Sequence, residues 1–157
     1  MPTPYELANF LVTGGVATIL AAVAMIDWKT RRIPNALVLA LVALRLFLLV
    51  AALMSENTPA FESLVASLTT SLIFTAGTLA AKAVADRRAC CETLGLGDVK
   101  LIAAACLFLT FDQALLALFI ASIAALVLAA YFRVRHQDNT FPFGPALSLG
   151  FVIALFS

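Results

Sequence analysis

The chain has few charged residues. Only 12% of its 157 residues are charged, about half the share usual in a soluble domain, whereas 63% are apolar. A soluble domain of this length could not bury so much apolar surface. The composition therefore excludes that class and predicts one integral-membrane domain over residues 1–157. The net charge of +1 gives no basic footprint for nucleic acid, so no nucleic-acid partner is expected.

Metal-ligating residues are scarce as well. The chain has three cysteines and no CxxC pair, since Cys90 and Cys91 are adjacent and Cys106 lies in an apolar run. Adjacent cysteines have the wrong spacing for a structural zinc site, and His136, the only histidine, is not expected to bind a metal by itself. The sequence therefore predicts neither a metal nor a cofactor. The cysteines are expected to be thiols in a reducing compartment.

Long apolar runs dominate what is present. Six of them lie at residues 8–27, 36–54, 61–84, 95–111, 114–132 and 141–157. A helix that crosses the bilayer core needs about 20 residues, with a range of roughly 17–25. Every run is long enough, the fourth only if Gly95 to Asp98 belong to it. We therefore predict an all-α, polytopic membrane protein with about six transmembrane helices.

All basic residues except Arg45 lie at alternate ends of these runs. They are Lys29, Arg31, Arg32, Lys82, Arg87, Arg88, Lys100, Arg133 and Arg135, whereas the other ends hold Glu6, Glu56, Glu62 and Asp112. By the positive-inside rule, the basic connections are cytoplasmic and both termini lie on the non-cytoplasmic side. The N-terminus lacks the basic stretch of a secretory signal, so the first helix is expected to be retained.

Two aspartates stand at the predicted cytoplasmic ends of apolar runs. Asp27 ends the first run, and Asp98 closes a Gly-Leu-Gly-Asp segment that opens the fourth. A carboxylate near hydrocarbon costs roughly 2.5–3.5 kcal/mol, so such residues tend to be functional. Two nearby carboxylates that share one proton can activate a water and protonate an amide. We predict that Asp27 and Asp98 catalyse peptide-bond hydrolysis, with no separate acid and base assigned.

Three segments carry a family resemblance. Residues 26–35 (IDWKTRRIPN) resemble the segment around the first aspartate of type IV prepilin peptidases, which are GxGD membrane aspartic peptidases. Residues 95–101 (GLGDVKL) resemble their GxGD-x-K-L segment, which carries the second catalytic aspartate. Residues 141–147 (FPFGPAL) resemble their Pro-Phe-Gly-Pro segment before the last helix. The three motifs occur in the family's order and cover nearly the whole chain.

The resemblance implies a function and a location. Such an enzyme cleaves the basic leader from type IV pilin or pseudopilin precursors at the cytoplasmic face of the bacterial inner membrane, in pilus assembly or protein secretion. Its partners would be that precursor and the surrounding lipids, and no oligomeric state is predicted. Many bacterial members carry a cytoplasmic insert with two CxxC pairs that is linked to N-methylation. This chain lacks it, so it resembles the short, peptidase-only form, and methyltransferase activity is not expected.

Further residues of these motifs are expected to shape the site. They are Pro34, Asn35, Gly95, Gly97, Lys100, Pro142, Gly144 and Pro145. The glycines beside Asp98 would let a substrate or a helix approach it closely. Lys100 follows Asp98 by two positions, a spacing that does not place both on one helical face.

Three charged residues lie in notable places outside these motifs. Asp86 and Glu92 could meet a basic leader. Arg45, in the middle of the second run, is expected to have a structural role.

Two other functions stay open on the sequence alone. The aspartates could relay cations in a transporter, although transporters often bind substrate near the midplane and no inverted repeat is visible. The chain could also be a non-catalytic membrane assembly factor for a pilus or secretion system. Conservative Asp→Asn substitution separates these functions, because proteolysis needs the carboxylates and scaffolding does not.

Overall fold

Every regular element of the described chain is a helix. The computed structural model describes residues 4–54, 58–89, 95–134 and 143–157, and within these residues it contains no strand. The six helices are α1 (Pro4–Thr30), α2 (Asn35–Met54), α3 (Thr58–Ala89), α4 (Leu96–Cys106), α5 (Phe111–Val134) and α6 (Gly144–Leu155). The all-α prediction is therefore confirmed for this part of the chain.

The outer surface is largely apolar. Leu39, Leu72 and Leu126 are 67%, 72% and 74% exposed, and many other large apolar side chains are exposed like them. Among the described residues, α1, α3 and α5 each contain a stretch long and apolar enough to cross a membrane. An exterior of this kind suits contact with lipid tails rather than water. The chain is therefore a membrane protein, whereas six spanning helices and the side of the termini stay predictions.

Helix α4 is shorter than its apolar run. The run over residues 95–111 was expected to form one spanning segment, but α4 ends at Cys106 after 11 residues, a length of about 16 Å. Beyond it the chain tightens, because the Phe108 N–H donates to the Ala105 carbonyl at 3.0 Å, three residues back. Such a tight turn ends an α-helix, so hydropathy alone overestimated its length.

A capping box explains why the chain starts a new helix here. The Gln113 N–H donates to the Thr110 hydroxyl at 3.4 Å, and the Thr110 N–H donates to the Gln113 side-chain oxygen at 3.1 Å. This reciprocal pair satisfies two backbone donors that the first turn of α5 would otherwise leave without partners. The Thr-x-x-Gln spacing is visible in the sequence and was overlooked in the apolar run.

Small residues bring α5 and α6 close together. A side chain at Gly150 would overlap the Ala117 carbonyl oxygen and would lie 3.0 Å from the Ala121 Cβ. Close backbone approach through small residues is a common way to pack membrane helices. Helix α6 also packs along α1, and it thereby connects α1 to α5.

Arg45 is half-buried between helices. Its guanidinium donates a hydrogen bond to the Ser67 hydroxyl of α3 and lies 5.4 Å from the ring centroid of Phe108. The Ser67 hydroxyl in turn donates to the Leu64 carbonyl at 2.9 Å. The cation is thus held by a hydroxyl and an aromatic face. These contacts fit the structural role expected from the sequence.

Several helix ends gather at one end of the bundle. The Trp28 ring near the end of α1 lies 6.1 Å from the Phe132 ring near the end of α5. The Asp27 side chain contacts Gly144, the first residue of α6. The basic residues Lys29 and Arg133 belong to the same end. Asp27, one of the two aspartates predicted from the sequence, therefore lies at this end of the bundle.

Candidate active site

Asp27 and Asp98 line one cavity. It has a volume of about 320 Å³ and is bounded by the end of α1, the α1–α2 connection and the start of α4. Its lining residues are Asp27, Arg31, Arg32, Ile33, Asn35, Gly95, Gly97, Asp98 and Lys100. The fold therefore brings together two aspartates that are far apart in the sequence. The cavity is large enough for several water molecules.

Asp27 is held by the first residue of α6. Its side chain is 6% exposed, and its Oδ2 accepts a hydrogen bond from the Gly144 N–H at 3.0 Å. The first N–H groups of a helix have no partner within it, and the helix dipole favours negative charge at this end. The start of α6 therefore positions the Asp27 carboxylate.

Gly144 can make this contact because it has no side chain. A Cβ at this position would lie 2.6 Å from the Asp27 Oδ2 and 2.8 Å from its carboxyl carbon, which is too close for either atom. Pro145 follows in the first turn of α6, where a missing N–H costs little. The expected site-shaping role of Gly144 thus has a physical basis. Pro142, which was expected to act with it, lies outside the described residues.

Asp98 lies in the first turn of α4, after the N-cap residue Gly95. Its side chain approaches Gly95 so closely that a Cβ there would lie 3.1 Å from the Asp98 Oδ2. Asp98 is outside the three candidate membrane spans. Burial and, to a lesser degree, the charge of Asp27 raise the pKa of Asp98 to about 6, and a hydrogen bond from the Gly95 backbone opposes this rise. The two carboxyl groups are therefore electrostatically coupled.

Gly97 permits close contact between α4 and the α1–α2 connection. A Cβ at Gly97 would lie 3.3 Å from the Ile33 Cβ, tighter than ordinary van der Waals contact. A larger residue would push the start of α4 away from this connection. Since Asp98 follows directly, the absence of a side chain at Gly97 helps to keep Asp98 at the cavity.

The α1–α2 connection is short and sharply bent. Helix α1 ends at Thr30 and α2 begins at Asn35, so no insert separates them. Arg31 has a φ of +52°, the left-handed conformation that glycine usually adopts after a helix. The Thr30 hydroxyl bridges the bend by donating to the Ile26 carbonyl at 2.9 Å and the Arg32 carbonyl at 3.3 Å. Because the chain reverses direction here, Asp27 before the bend and Asn35 after it line the same cavity.

Lys100 and Asn35 meet at the rim of the cavity. The Lys100 Nζ donates to the Asn35 Oδ1 at 3.4 Å and thereby connects α4 to the start of α2. Lys100 lies two positions after Asp98 on α4, a spacing that places them on different helical faces, and yet both line the cavity. A long lysine side chain can reach further round a helix than its Cα position suggests. Pro34 precedes Asn35, and its carbonyl accepts a hydrogen bond from the Leu37 N–H at 3.1 Å.

Three cavity residues were missed as site residues. Arg31, Arg32 and Ile33 line the cavity, but the sequence analysis assigned the two arginines only to membrane orientation. The available signal was their position inside the segment that resembles the family's first-aspartate motif. Three cations, counting Lys100, therefore surround the two carboxyl groups. Their charge favours carboxylate or phosphate groups at the rim.

Other candidate groups lie elsewhere. Asp86 forms an ion pair with Lys82 at 2.9 Å, one turn away on α3, and does not line the cavity. Glu92, Cys90, Cys91 and His136 lie outside the described residues. Within the described ranges, no group of three His, Cys, Asp or Glu residues could hold a metal ion.

Comparison with known proteins shows the family of the chain. A model of the type IV leader peptidase family matches residues 15–130, a range that includes Asp27 and Asp98. No curated protein and no solved structure matches the chain. The direct passage from α1 to α2 is consistent with a short, peptidase-only form. Because the family model covers most of the chain, the protein belongs to the type IV leader peptidase family and is a membrane peptidase.

Proposed function

We propose that the protein is a membrane aspartic endopeptidase that removes the basic leader from type IV pilin or pseudopilin precursors. Residues 1–157 would act as one domain, with Asp27 and Asp98 as the catalytic pair. The observation that carries the proposal is the shared cavity of these two carboxyl groups at the end of a membrane-embedded helix bundle. The family match supports the same substrate class.

The chemistry follows from the pair. Burial and the neighbouring charge raise the pKa of Asp98 to about 6, so below that pH the pair holds one proton instead of being two ionised carboxylates. The ionised member takes a proton from water as the oxygen attacks the carbonyl carbon, and the other gives its proton to the carbonyl oxygen. Collapse of the tetrahedral intermediate breaks the C–N bond as a proton from the pair goes to the leaving nitrogen and a hydroxyl proton of the intermediate returns to the pair. These roles belong to the pair rather than to either residue.

Neighbouring residues would position the pair. The Gly144 N–H fixes the Asp27 carboxylate, and the missing side chains at Gly95 and Gly97 leave space beside Asp98. Well-oriented groups can supply several kcal/mol of a reaction barrier, roughly 7–11 in model reactions. Lys100 and Asn35 border the space where a substrate would enter.

The location of the active site is part of the proposal. The cavity contains Arg31, Arg32 and Lys100, and cytoplasmic loops are enriched in such cations. We therefore place the site at the cytoplasmic face of the bacterial inner membrane and both termini on the opposite side. A leader rich in basic residues would remain in the cytoplasm, while the apolar part of the precursor stays in the membrane. Methyltransferase activity is not part of the proposal.

Leader removal in liposomes tests this function. The wild-type protein is co-reconstituted with a prepilin-like precursor, and the product is identified by its mass, beside an Asp27→Asn variant at equal amount. We expect cleavage between leader and apolar segment by wild type only. Cleavage by the variant at the wild-type rate would contradict the catalytic pair. Failure of wild type to cleave several such precursors would overturn the substrate class and favour the assembly or transport alternative.

A further inference from the structure

A second groove adjoins the catalytic cavity. It has a volume of about 320 Å³, runs along one side of α2 and is lined by Asn35, Ala36, Val38, Leu39, Val42 and Lys100. Asn35 and Lys100 line both spaces, so the groove and the cavity lie side by side at these two residues. Apart from these two shared residues, its walls are entirely apolar. The groove extends about 10 Å along the helix, or two helical turns.

The groove lies on the exposed, apolar surface of the protein. Leu39 is 67% exposed and Ala36 is exposed beside it. Hydrophobicity alone does not select a partner here, because lipid tails are as apolar as the groove. A concave surface instead favours a partner by van der Waals contact, and a helix fills it better than mobile acyl chains.

The shared rim suits a stretch of unwound backbone. Hydrolysis needs an extended peptide in the cavity, and an extended backbone near the membrane leaves its N–H and C=O groups without helical partners. Asn35 and Lys100 offer a side-chain amide and an ammonium group where such a segment would pass from cavity to groove. Both can exchange their mutual hydrogen bond, which at 3.4 Å is long, for bonds to a substrate.

We propose that this groove, lined by Ala36, Val38, Leu39 and Val42, binds the first apolar turns of the precursor, directly after the bond that is cut. This inference rests on the proposed function and adds the place where the substrate helix binds. Asn35 and Lys100 then act as positioning residues for the extended segment. The groove runs from the basic end of α2 toward the membrane interior, so leader and apolar helix would lie in the order that the membrane requires.

Photo-crosslinking locates the bound helix. A benzophenone side chain is placed at Leu39 in an Asp98→Asn background, and the matched control carries it at Leu126 of α5, which is 74% exposed. Co-reconstituted precursor should crosslink through its apolar segment at Leu39 several-fold more than at Leu126. Equal yields at the two positions, or crosslinks from Leu39 to lipid alone, would overturn the proposal.

A bulky substitution gives an independent kinetic test. Ala36→Trp fills the groove, whereas Ala130→Trp adds the same side chain to another exposed alanine, on α5. We expect Ala36→Trp to raise KM for the full precursor about tenfold, the equivalent of about 1.4 kcal/mol of binding, with little change in kcat. Ala130→Trp should match wild type. Equal kinetics for Ala36→Trp and Ala130→Trp would contradict the groove.

The two proposals fail in different ways. Wild type could remove the leader while crosslinking at Leu39 equals that at Leu126 and Ala36→Trp has the kinetics of Ala130→Trp. In that case the groove does not bind the substrate helix, and the proposed function stands. If wild type in the same liposomes does not remove the leader, the proposed function itself is wrong. The wild-type assay therefore accompanies both measurements.

Discussion

Arg45 and the pair Asp27 and Asp98 are charged groups with different surroundings. Arg45 is half-buried between helices, where it contacts the Ser67 hydroxyl and the Phe108 ring. Asp27 and Asp98 instead border a cavity of about 320 Å³ with three cations around it. Both arrangements are costly in a membrane protein. The first uses its charge to join helices, and the second leaves reactive groups beside space for water and substrate.

We infer from the comparison that burial of a charge does not by itself mark a functional site. Arg45 and Asp27 are both unusual at the level of sequence, and each needs partners. What separates them is the space beside them and a second titratable group of the same sign. Asp27 has Asp98 as such a neighbour, whereas the contacts of Arg45 described above are a hydroxyl and an aromatic ring. Substitutions at the two places should therefore affect different properties.

The largest expected effect is the loss of leader removal in Asp98→Asn, which Arg45→Met should not share. Asp98→Asn should reduce the rate of leader removal by about 10²- to 10⁴-fold, because the amide can neither accept nor supply the shared proton. Arg45→Met, which keeps an apolar stem of similar length, should stay near the wild-type rate. The rates are measured in liposomes at equal amounts of folded protein. An Arg45→Met variant as inactive as Asp98→Asn would abolish the distinction.

The next effect tests how Asp27 is held. Gly144→Ala should lower kcat by about 10²-fold, since a Cβ 2.6 Å from the Asp27 Oδ2 must displace the carboxylate. Gly77→Ala is the matched control, because no atom lies within 4 Å of a Cβ at that position. That control should keep wild-type activity. Full activity of Gly144→Ala would show that the contact with α6 does not position Asp27.

The pH dependence tests the shared proton. Asp98 has a raised pKa of about 6, so the pair keeps a proton below that pH and loses it above. The rate should fall on the alkaline side, by about tenfold per pH unit once the pair is fully ionised. Cleavage is measured from pH 4.5 to 8.5 with a precursor of constant charge over that range. A rate that rises steadily through this alkaline range would contradict a mechanism that needs one protonated carboxyl group.

A smaller effect concerns stability at the Arg45 contacts. Arg45→Ala should lower the free energy of unfolding by about 1–3 kcal/mol, because it removes a hydrogen bond and a cation–π contact and leaves a void. Arg45→Met should cost less, since apolar replacements of buried ions are often tolerated. Thermal unfolding in detergent gives the melting temperatures, which should fall in the order wild type, Arg45→Met, Arg45→Ala. An unchanged melting temperature in Arg45→Ala would mean that these contacts contribute little.

The smallest expected effect is a gain of thermal stability when Asp98, at the proposed catalytic site, is replaced by Asn. A raised pKa means that the folded protein resists ionisation of Asp98, so the penalty is absent below about pH 4 and complete above about pH 6. Asp98→Asn should therefore unfold at a slightly higher temperature than wild type at pH 7.5, and at an equal one near pH 3.5. A lower melting temperature for Asp98→Asn at pH 7.5 would contradict this ionisation penalty.

Much of this architecture could be predicted from the sequence. The apolar runs predicted the helices. The positions of Asp27 and Asp98 next to basic residues predicted that both lie at the same side of the membrane. The end of α4 at Cys106 was not predicted, because the apolar run continues through the turn that follows this helix. Thr110 and Gln113 cap the start of α5 directly after that turn. The contact between Gly144 and Asp27 could not be predicted from spacing, since it depends on how α6 packs against α1.

The central claim is that Asp27 and Asp98 act as one catalytic unit, and a double-mutant cycle tests it directly. Single-turnover leader removal is measured for wild type, Asp27→Asn, Asp98→Asn and the double variant in the same liposomes. We predict that each single substitution is as damaging as both together, because either one removes the shared proton. Losses that multiply in the double variant, or a single variant that keeps the wild-type rate, would contradict the account.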